Sequence, residues 1–103
     1  MADAPRDVPQ IVVLRTKENG SFTFLVVVRD RDGESSFDVT LRESTYDRLS
    51  GKKYAPETCV EAAFRFLLER ESKKSILTRF DIDQISDYFP EFDRTLPGYL
   101  PTL

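Results

Sequence analysis

The sequence has no histidine, no tryptophan and one cysteine, Cys59, among its 103 residues. The absence of histidine removes the most common general base, the standard catalytic triads and most zinc and iron sites. A single cysteine cannot form an internal disulfide, which suits a reducing compartment. We therefore expect a cytoplasmic protein without enzymatic activity.

Motifs for small ligands are also missing. The four glycines are scattered and form no phosphate-binding or dinucleotide-binding pattern. The acidic segment that begins at Asp81 fails as a calcium loop, because Ser86 occupies the turn position that requires glycine. Phe92 occupies the position of the bidentate glutamate. We therefore expect neither a metal ion nor another cofactor.

Long hydrophobic runs are absent as well. The longest, "FLVVV" at residues 24–28, is far too short to span a bilayer, so we expect no contact with a membrane. The first ten residues, "MADAPRDVPQ", contain charges and prolines but no apolar run, and therefore do not form a signal peptide. We predict a flexible leader at residues 1–9 and a single domain at residues 10–103.

The composition indicates a globular chain with little attraction for nucleic acid. Hydrophobic residues make up 40% and charged residues 32%, and the net charge is −3, from 15 basic and 18 acidic residues. Neither half of the chain carries an excess of basic residues. Proteins that bind nucleic acids usually carry a basic patch, so we expect the partner to be another protein or a second copy of this chain.

Three segments rich in β-branched and aromatic residues predict an antiparallel β-meander, at about 10–16, 21–29 and 36–41. Asn19-Gly20 and Asp32-Gly33 are dipeptides that type I′ hairpin turns favour. Two-residue loops at both would place Val13 opposite Val26 and Phe37 opposite Val28. Both registers gather the large apolar residues on a single face of the sheet, which is the predicted core face.

The other face of this sheet is predicted to carry an aliphatic patch. In the same register Leu14 pairs with Leu25, and Val12 pairs with Val27. An apolar patch of this kind rarely stays uncovered on a monomer. Three coverings are open: the C-terminal tail, a second copy of the chain, or a different partner.

The rest of the chain predicts two to three helices packed on one face of the sheet, at about 43–50, 56–72 and 82–89. In the second helix the apolar residues cover an arc of about 240°, so it should be held on more than one side. Asp81 and Gln84 are spaced like a capping box before the third helix. Beyond Pro90 the prolines predict an extended C-terminal tail, which nevertheless contains Phe92, Tyr99 and Leu100.

Residues 36–71 carry a second pattern, because "FDVTL", "ESTYDRLSG" and "PETCVEAAFRFLLER" follow one another as strand, helix and helix. This order resembles that of ribbon-helix-helix DNA-binding proteins. The resemblance implies a strand that pairs with its twofold mate and reads bases from its outer face. Phosphate contacts would then come from nearby cations, namely Arg42, Arg48, Lys52 and Lys53. Asp38 departs from the pattern, because its charge would repel DNA.

The sequence therefore predicts an α+β fold and a small non-catalytic protein, either a protein–protein interaction module or a homodimeric subunit. Its interaction surface would combine the second sheet face with the C-terminal tail, through Val12, Leu14, Leu25, Val27, Phe92, Tyr99 and Leu100. The alternative hypothesis is a nucleic-acid-binding regulator built on the ribbon-helix-helix-like segment at 36–71.

Overall fold

The computed structural model of the protein describes residues 9–51 and 53–101. Within these ranges the chain has an α+β fold, in which a four-stranded sheet carries the helices on one side. The predicted leader at 1–9 lies outside them, except for Pro9. The strands are β1 (Gln10–Glu18), β2 (Ser21–Asp30), β3 (Gly33–Arg42) and β4 (Arg79–Asp81). The α-helices are α1 (Glu43–Ser50), α2 (Pro56–Leu68), α3 (Ile85–Tyr88) and α4 (Phe92–Thr95), with short 3-10 helices at Lys73–Ser75, Ile82–Gln84 and Leu96–Tyr99.

The first three strands form the predicted antiparallel meander, in the order β1-β2-β3. The prediction omitted β4, which pairs in parallel with β3 and places Phe80 beside Val39. The sheet is therefore mixed and has four strands. None of the helices in the described ranges is long and apolar enough to cross a membrane.

The first hairpin has the predicted register along most of its length. Val13 pairs with Val26 and Leu14 pairs with Leu25. A β-bulge at Thr16 adds one residue to β1 between the pairs of Arg15 and Lys17, so the register shifts next to the turn. Gly20 lies in this turn with a φ of 75°, a value that glycine adopts without strain.

The predicted register of the second hairpin is wrong by two residues. Phe37 pairs with Val26 and not with Val28. Asp30 pairs with Gly33 in the sheet, so the turn consists of Arg31 and Asp32. The Asp30 side chain accepts a hydrogen bond of 2.8 Å from the Asp32 amide. A shift of two residues leaves every side chain on its predicted face, since strand side chains alternate with a period of two.

The core lies between the sheet and the helices. The predicted core face of the sheet is buried against α2, where the Phe64 ring lies 5.2 Å from Phe37 and 5.8 Å from Phe80 between centroids. The predicted helix at 43–50 is confirmed as α1, and its C-cap, Gly51, adopts a φ of 57°. The helix predicted at 56–72 ends earlier, at Leu68. The residues that follow, "ERES", offer no further apolar side chain to bury.

The predicted capping box begins the third helical region. The Asp81 side chain accepts a hydrogen bond of 2.9 Å from the Asp83 amide, and the Gln84 side chain accepts one of 2.8 Å from the Asp81 amide. A 3-10 turn and α3 follow, within the range predicted for one helix at 82–89. Because Asp81 caps this turn, it also ends β4 after three residues.

The C-terminal tail is helical, which corrects the prediction of an extended chain. It forms α4 and a 3-10 helix, and it packs on the helical side of the molecule. Phe66 on α2 is the centre of this contact, since its ring meets those of Phe89, Phe92 and Tyr99 edge-on at 5.8, 5.0 and 5.8 Å. The tail thus covers the side of α2 that the sheet does not reach.

Candidate functional site

Among the described residues, none packs over the centre of the sheet face opposite α2. We use the term open face for this surface, whose centre is formed by Val12, Leu14, Leu25 and Val27. Val12 and Leu14 are 49% and 51% exposed, and the two residues on β2 are half-buried. Val12 pairs with Val27, and Leu14 pairs with Leu25, so the four side chains form a compact block of two rows.

Two ion pairs lie beside this block. Along one end, Arg29 bonds to Glu34 through Nη2 and Oε2 at 2.5 Å. Along the β3 side, Arg79 lies 3.7 Å from Asp38, which neighbours Leu25 in the sheet. The block is therefore bordered by two ion pairs and by Lys17, an exposed cation that lies opposite Thr23 and has no ion-pair partner among the described residues.

As far as residue 101, the tail does not cover the open face. Phe92 is 1% exposed and belongs to the core, so it is removed from the predicted interaction surface. Tyr99 and Leu100 are half-buried and pack against the same core on the helical side. The described part of the tail is therefore not the covering of this face, and a second copy of the chain and a different partner remain the two hypotheses.

Two of the four cations suggested for phosphate contacts form ion pairs within the chain. Arg42 lies 3.7 Å from Asp83, and Arg48 forms ion pairs with Asp83 and Asp93. Lys53 is exposed, and Lys52 lies outside the described residues.

β3, the strand in the segment that resembles ribbon-helix-helix proteins, is also unavailable for pairing with a second copy. β3 is paired along one edge with β2 and along the other with β4, so it has no free edge for a twofold mate over Asp38–Thr40. The order of elements in this segment is therefore similar to that family, but the arrangement of the strand is different.

Cys59 has the properties of a core residue. Its side chain is 2% exposed, and burial raises the pKa of its thiol to about 11. A reactive cysteine requires the opposite shift, because the thiolate is the nucleophile. Across residues 9–51 and 53–101, no three cysteine, aspartate or glutamate side chains are grouped closely enough to hold a metal ion.

Two features of the helical side were not predicted from the sequence. Lys73 is buried at 7% exposure, where its Nζ pairs with Asp30 and donates a hydrogen bond of 2.9 Å to the Gly33 carbonyl. An apolar cleft of about 160 Å³, which we call the α3 cleft, lies between the end of α2, the segment before β4, and α3. The segment "SILTRF" contains three large apolar residues outside every predicted helix and strand, which is a sequence signal that points to it.

Comparisons of the chain with protein-family models, with curated proteins and with solved structures found no match.

Proposed function

We propose that this protein is a non-catalytic interaction module that forms a homodimer through its open face. The observation that carries the proposal is the exposure of Val12 and Leu14 on an aliphatic block that no described part of the chain covers. Removing such a surface from water is favourable by roughly 25 cal/mol per Å² of apolar area. The single buried cysteine supports a cytoplasmic location, where thiols remain reduced.

The arrangement of the block favours a second copy as the partner. Valine lies beside valine in one row and leucine beside leucine in the other. A twofold axis parallel to the strands, between β1 and β2, would therefore place Val12 over the other copy's Val27, and Leu14 over its Leu25. Such a contact is isologous, which is the usual form of a homodimer interface.

The surrounding charges are compatible with self-association. Two identical faces repel each other when each carries unpaired charges of one sign. Here Arg29 is paired with Glu34, and Arg79 with Asp38, within the same chain. Lys17, which has no such partner among the described residues, would lie over the other copy's Thr23 under this twofold axis and not over a like charge.

The size of the face indicates a weak dimer. Three paired strands of nine or ten residues cover roughly 14 by 30 Å, or about 400 Å² of flat area. Each partner of a standard complex buries about 800 Å². We therefore expect a dimer that dissociates in the micromolar range or above.

Replacement of Leu14 and Leu25 by lysine tests the proposal. Because Leu14 is half exposed and Leu25 lies at the same surface, the double variant should fold normally. In the proposed dimer, each introduced lysine would be buried against a lysine of the other copy, so the double variant should not dimerise. Sedimentation velocity from about 10 µM to 1 mM should show a concentration-dependent dimer for the native chain and a monomer for the double variant.

A matched control carries two lysines on the helical side, at Ser44 and Ala55, which are both exposed. It adds the same charge and should retain the dimer. A native chain that remains monomeric at 1 mM would contradict the homodimer, and so would a dimer that survives both substitutions on the open face. If the double variant does not fold, Val12→Lys alone tests the same surface.

A further inference from the structure

The α3 cleft is the second place where apolar side chains reach the surface. Its floor is buried and consists of Leu67, Ile76, Phe80 and Ile85. Leu77 and Tyr88 form its walls, and they are 50% and 66% exposed. Among the described residues, the large apolar side chains with such exposure are these two and the pair Val12 and Leu14 on the open face.

The size of the cleft fits one ring or one branched side chain. Its volume is about 160 Å³. An apolar cavity of about 150 Å³ accommodates a benzene molecule. The polar groups that line the cleft are Glu71, Ser75, Gln84 and the Tyr88 hydroxyl, so the floor itself offers only apolar contact.

One charged side chain lines the cleft, and it is the carboxylate of Glu71. Glu71 forms no ion pair in the described part of the chain, whereas its neighbour Arg70 pairs with Glu91 at 3.3 Å. Glu69, two residues before it, accepts a hydrogen bond from the Tyr99 hydroxyl at 2.5 Å. A cation that approaches the cleft would therefore meet an available carboxylate beside an apolar floor.

We propose that the α3 cleft binds a bulky apolar side chain of a partner polypeptide, with an adjacent lysine or arginine paired to Glu71. A free aromatic molecule would fill the floor but leave Leu77 and Tyr88 exposed to water. A second copy of this chain is a poorer match. Its exposed Tyr88 follows Asp87, whose charge would oppose Glu71, and Arg79, the cation near its exposed Leu77, already pairs with Asp38. The cleft lies on the helical side, so the proposal is independent of dimerisation through the open face.

The test uses the full chain labelled with ¹⁵N. Its ligands are acetylated, amidated pentapeptides that differ in their central residue or in the residues beside it. The Gly-Lys-Phe-Lys-Gly peptide should shift the amide signals of Leu67, Ile76 and Ile85 in a saturable manner. The Gly-Lys-Ala-Lys-Gly peptide should not, because it lacks the side chain that fills the floor. Glu71→Gln should weaken binding of the Gly-Lys-Phe-Lys-Gly peptide by roughly threefold, as expected for the loss of an exposed ion pair. The same substitution should leave Gly-Ser-Phe-Ser-Gly binding unchanged.

Tyr88→Ala and Val12→Ala form a matched pair of variants. Both remove exposed side chains, but only Tyr88 borders the cleft. Binding of the lysine-containing phenylalanine peptide should be lost or weakened by Tyr88→Ala and retained by Val12→Ala. If Tyr88→Ala does not fold, Leu77→Ala takes its place.

Three results would overturn the proposal. The first is the absence of saturable shifts at the cleft up to about 5 mM peptide, a concentration at which even millimolar affinity is detected. The second is that phenol alone binds the cleft as tightly as the peptide, which would indicate a site for small aromatic molecules. The third is that Tyr88→Ala abolishes self-association of the chain, which would make the cleft a contact between copies.

Discussion

Lys73 has a role that its position in the sequence does not indicate. It lies just beyond an amphipathic helix with Lys74, and cations there are usually exposed and favour the negative end of the helix dipole. In the structure Lys73 is buried, and its ammonium group pairs with Asp30 at the end of β2. A buried charge is tolerated only with such partners. Accordingly, every buried side-chain nitrogen and oxygen atom in the described ranges has a hydrogen-bond partner.

This ion pair predicts a pH-dependent contribution to stability. The hydrogen bond from Lys73, assisted by the Asp32 amide, lowers the pKa of Asp30 below its ordinary value. A carboxyl group with a lowered folded-state pKa stabilises the fold above its unfolded-state pKa of about 3.9, and the stabilisation is lost as the pH falls through the folded-state value. Asp30→Asn should therefore lower the Tm at pH 7, and the difference from the native chain should shrink below about pH 4.

Asp32→Asn is the control for this measurement. Asp32 is exposed in the same turn, and it contacts Asp30 through its backbone amide and not through its carboxylate. Thermal unfolding of this variant should follow the native chain across the pH range. A constant difference between Asp30→Asn and the native chain from pH 7 to pH 3 would show that the Asp30 charge does not stabilise the fold.

At the scale of elements, the packing of α4 in the core predicts a large contribution to stability. Phe92 is fully enclosed and meets the Phe66 ring at 5.0 Å, so Phe92→Ala should lower the free energy of unfolding by about 3–5 kcal/mol. Tyr88→Ala in the neighbouring α3 removes a ring that is 66% exposed, and it should cost less than about 1 kcal/mol. Urea unfolding measures both. Equal stability of the two variants would mean that the tail does not pack as the structure has it.

The error in predicting this tail has a specific cause. Prolines at positions 90 and 97 indicated an extended chain, but proline also suits the first turn of a helix, where its missing N–H is not needed. Pro97 lies in the first turn of Leu96–Tyr99, and Pro90 precedes α4. Local sequence does not separate these two uses of proline. The packing of Phe92 and Tyr99 on Phe66 decides between them.

The meander was predictable because its strand and turn signals are local. Its faces were predictable because an error of two residues in register leaves every side chain on the same face. The second hairpin is shifted by two residues from the prediction, yet Val12, Leu14, Leu25 and Val27 still share the open face. In contrast, β4 has only three residues and depends on pairing with β3, about 40 positions earlier in the chain. The α3 cleft depends on this strand, so it was not predictable from the sequence either.

For the whole molecule, the distribution of charge makes a prediction about the dimer. The net charge is only −3, and two ion pairs beside the aliphatic block, Arg29 with Glu34 and Arg79 with Asp38, lie within the chain. Contact between two such faces should depend on apolar area. Raising NaCl from about 50 to 500 mM should therefore change the dimer Kd by less than about threefold in sedimentation equilibrium. A Kd that rises tenfold or more with salt would indicate that unpaired charges hold the copies together.

The bulge at Thr16 has a consequence for aggregation. β1 is an outer strand of the sheet, and a regular outer strand offers its free backbone groups as a template for further strands. The extra residue between Arg15 and Lys17 interrupts that row, and the Thr16 hydroxyl is directed back to the Thr23 carbonyl at 3.2 Å. Growth of the sheet into fibrils is thereby discouraged at the margin of the molecule. The chain can therefore expose an apolar sheet face while the β1 edge of the same sheet resists the addition of further strands.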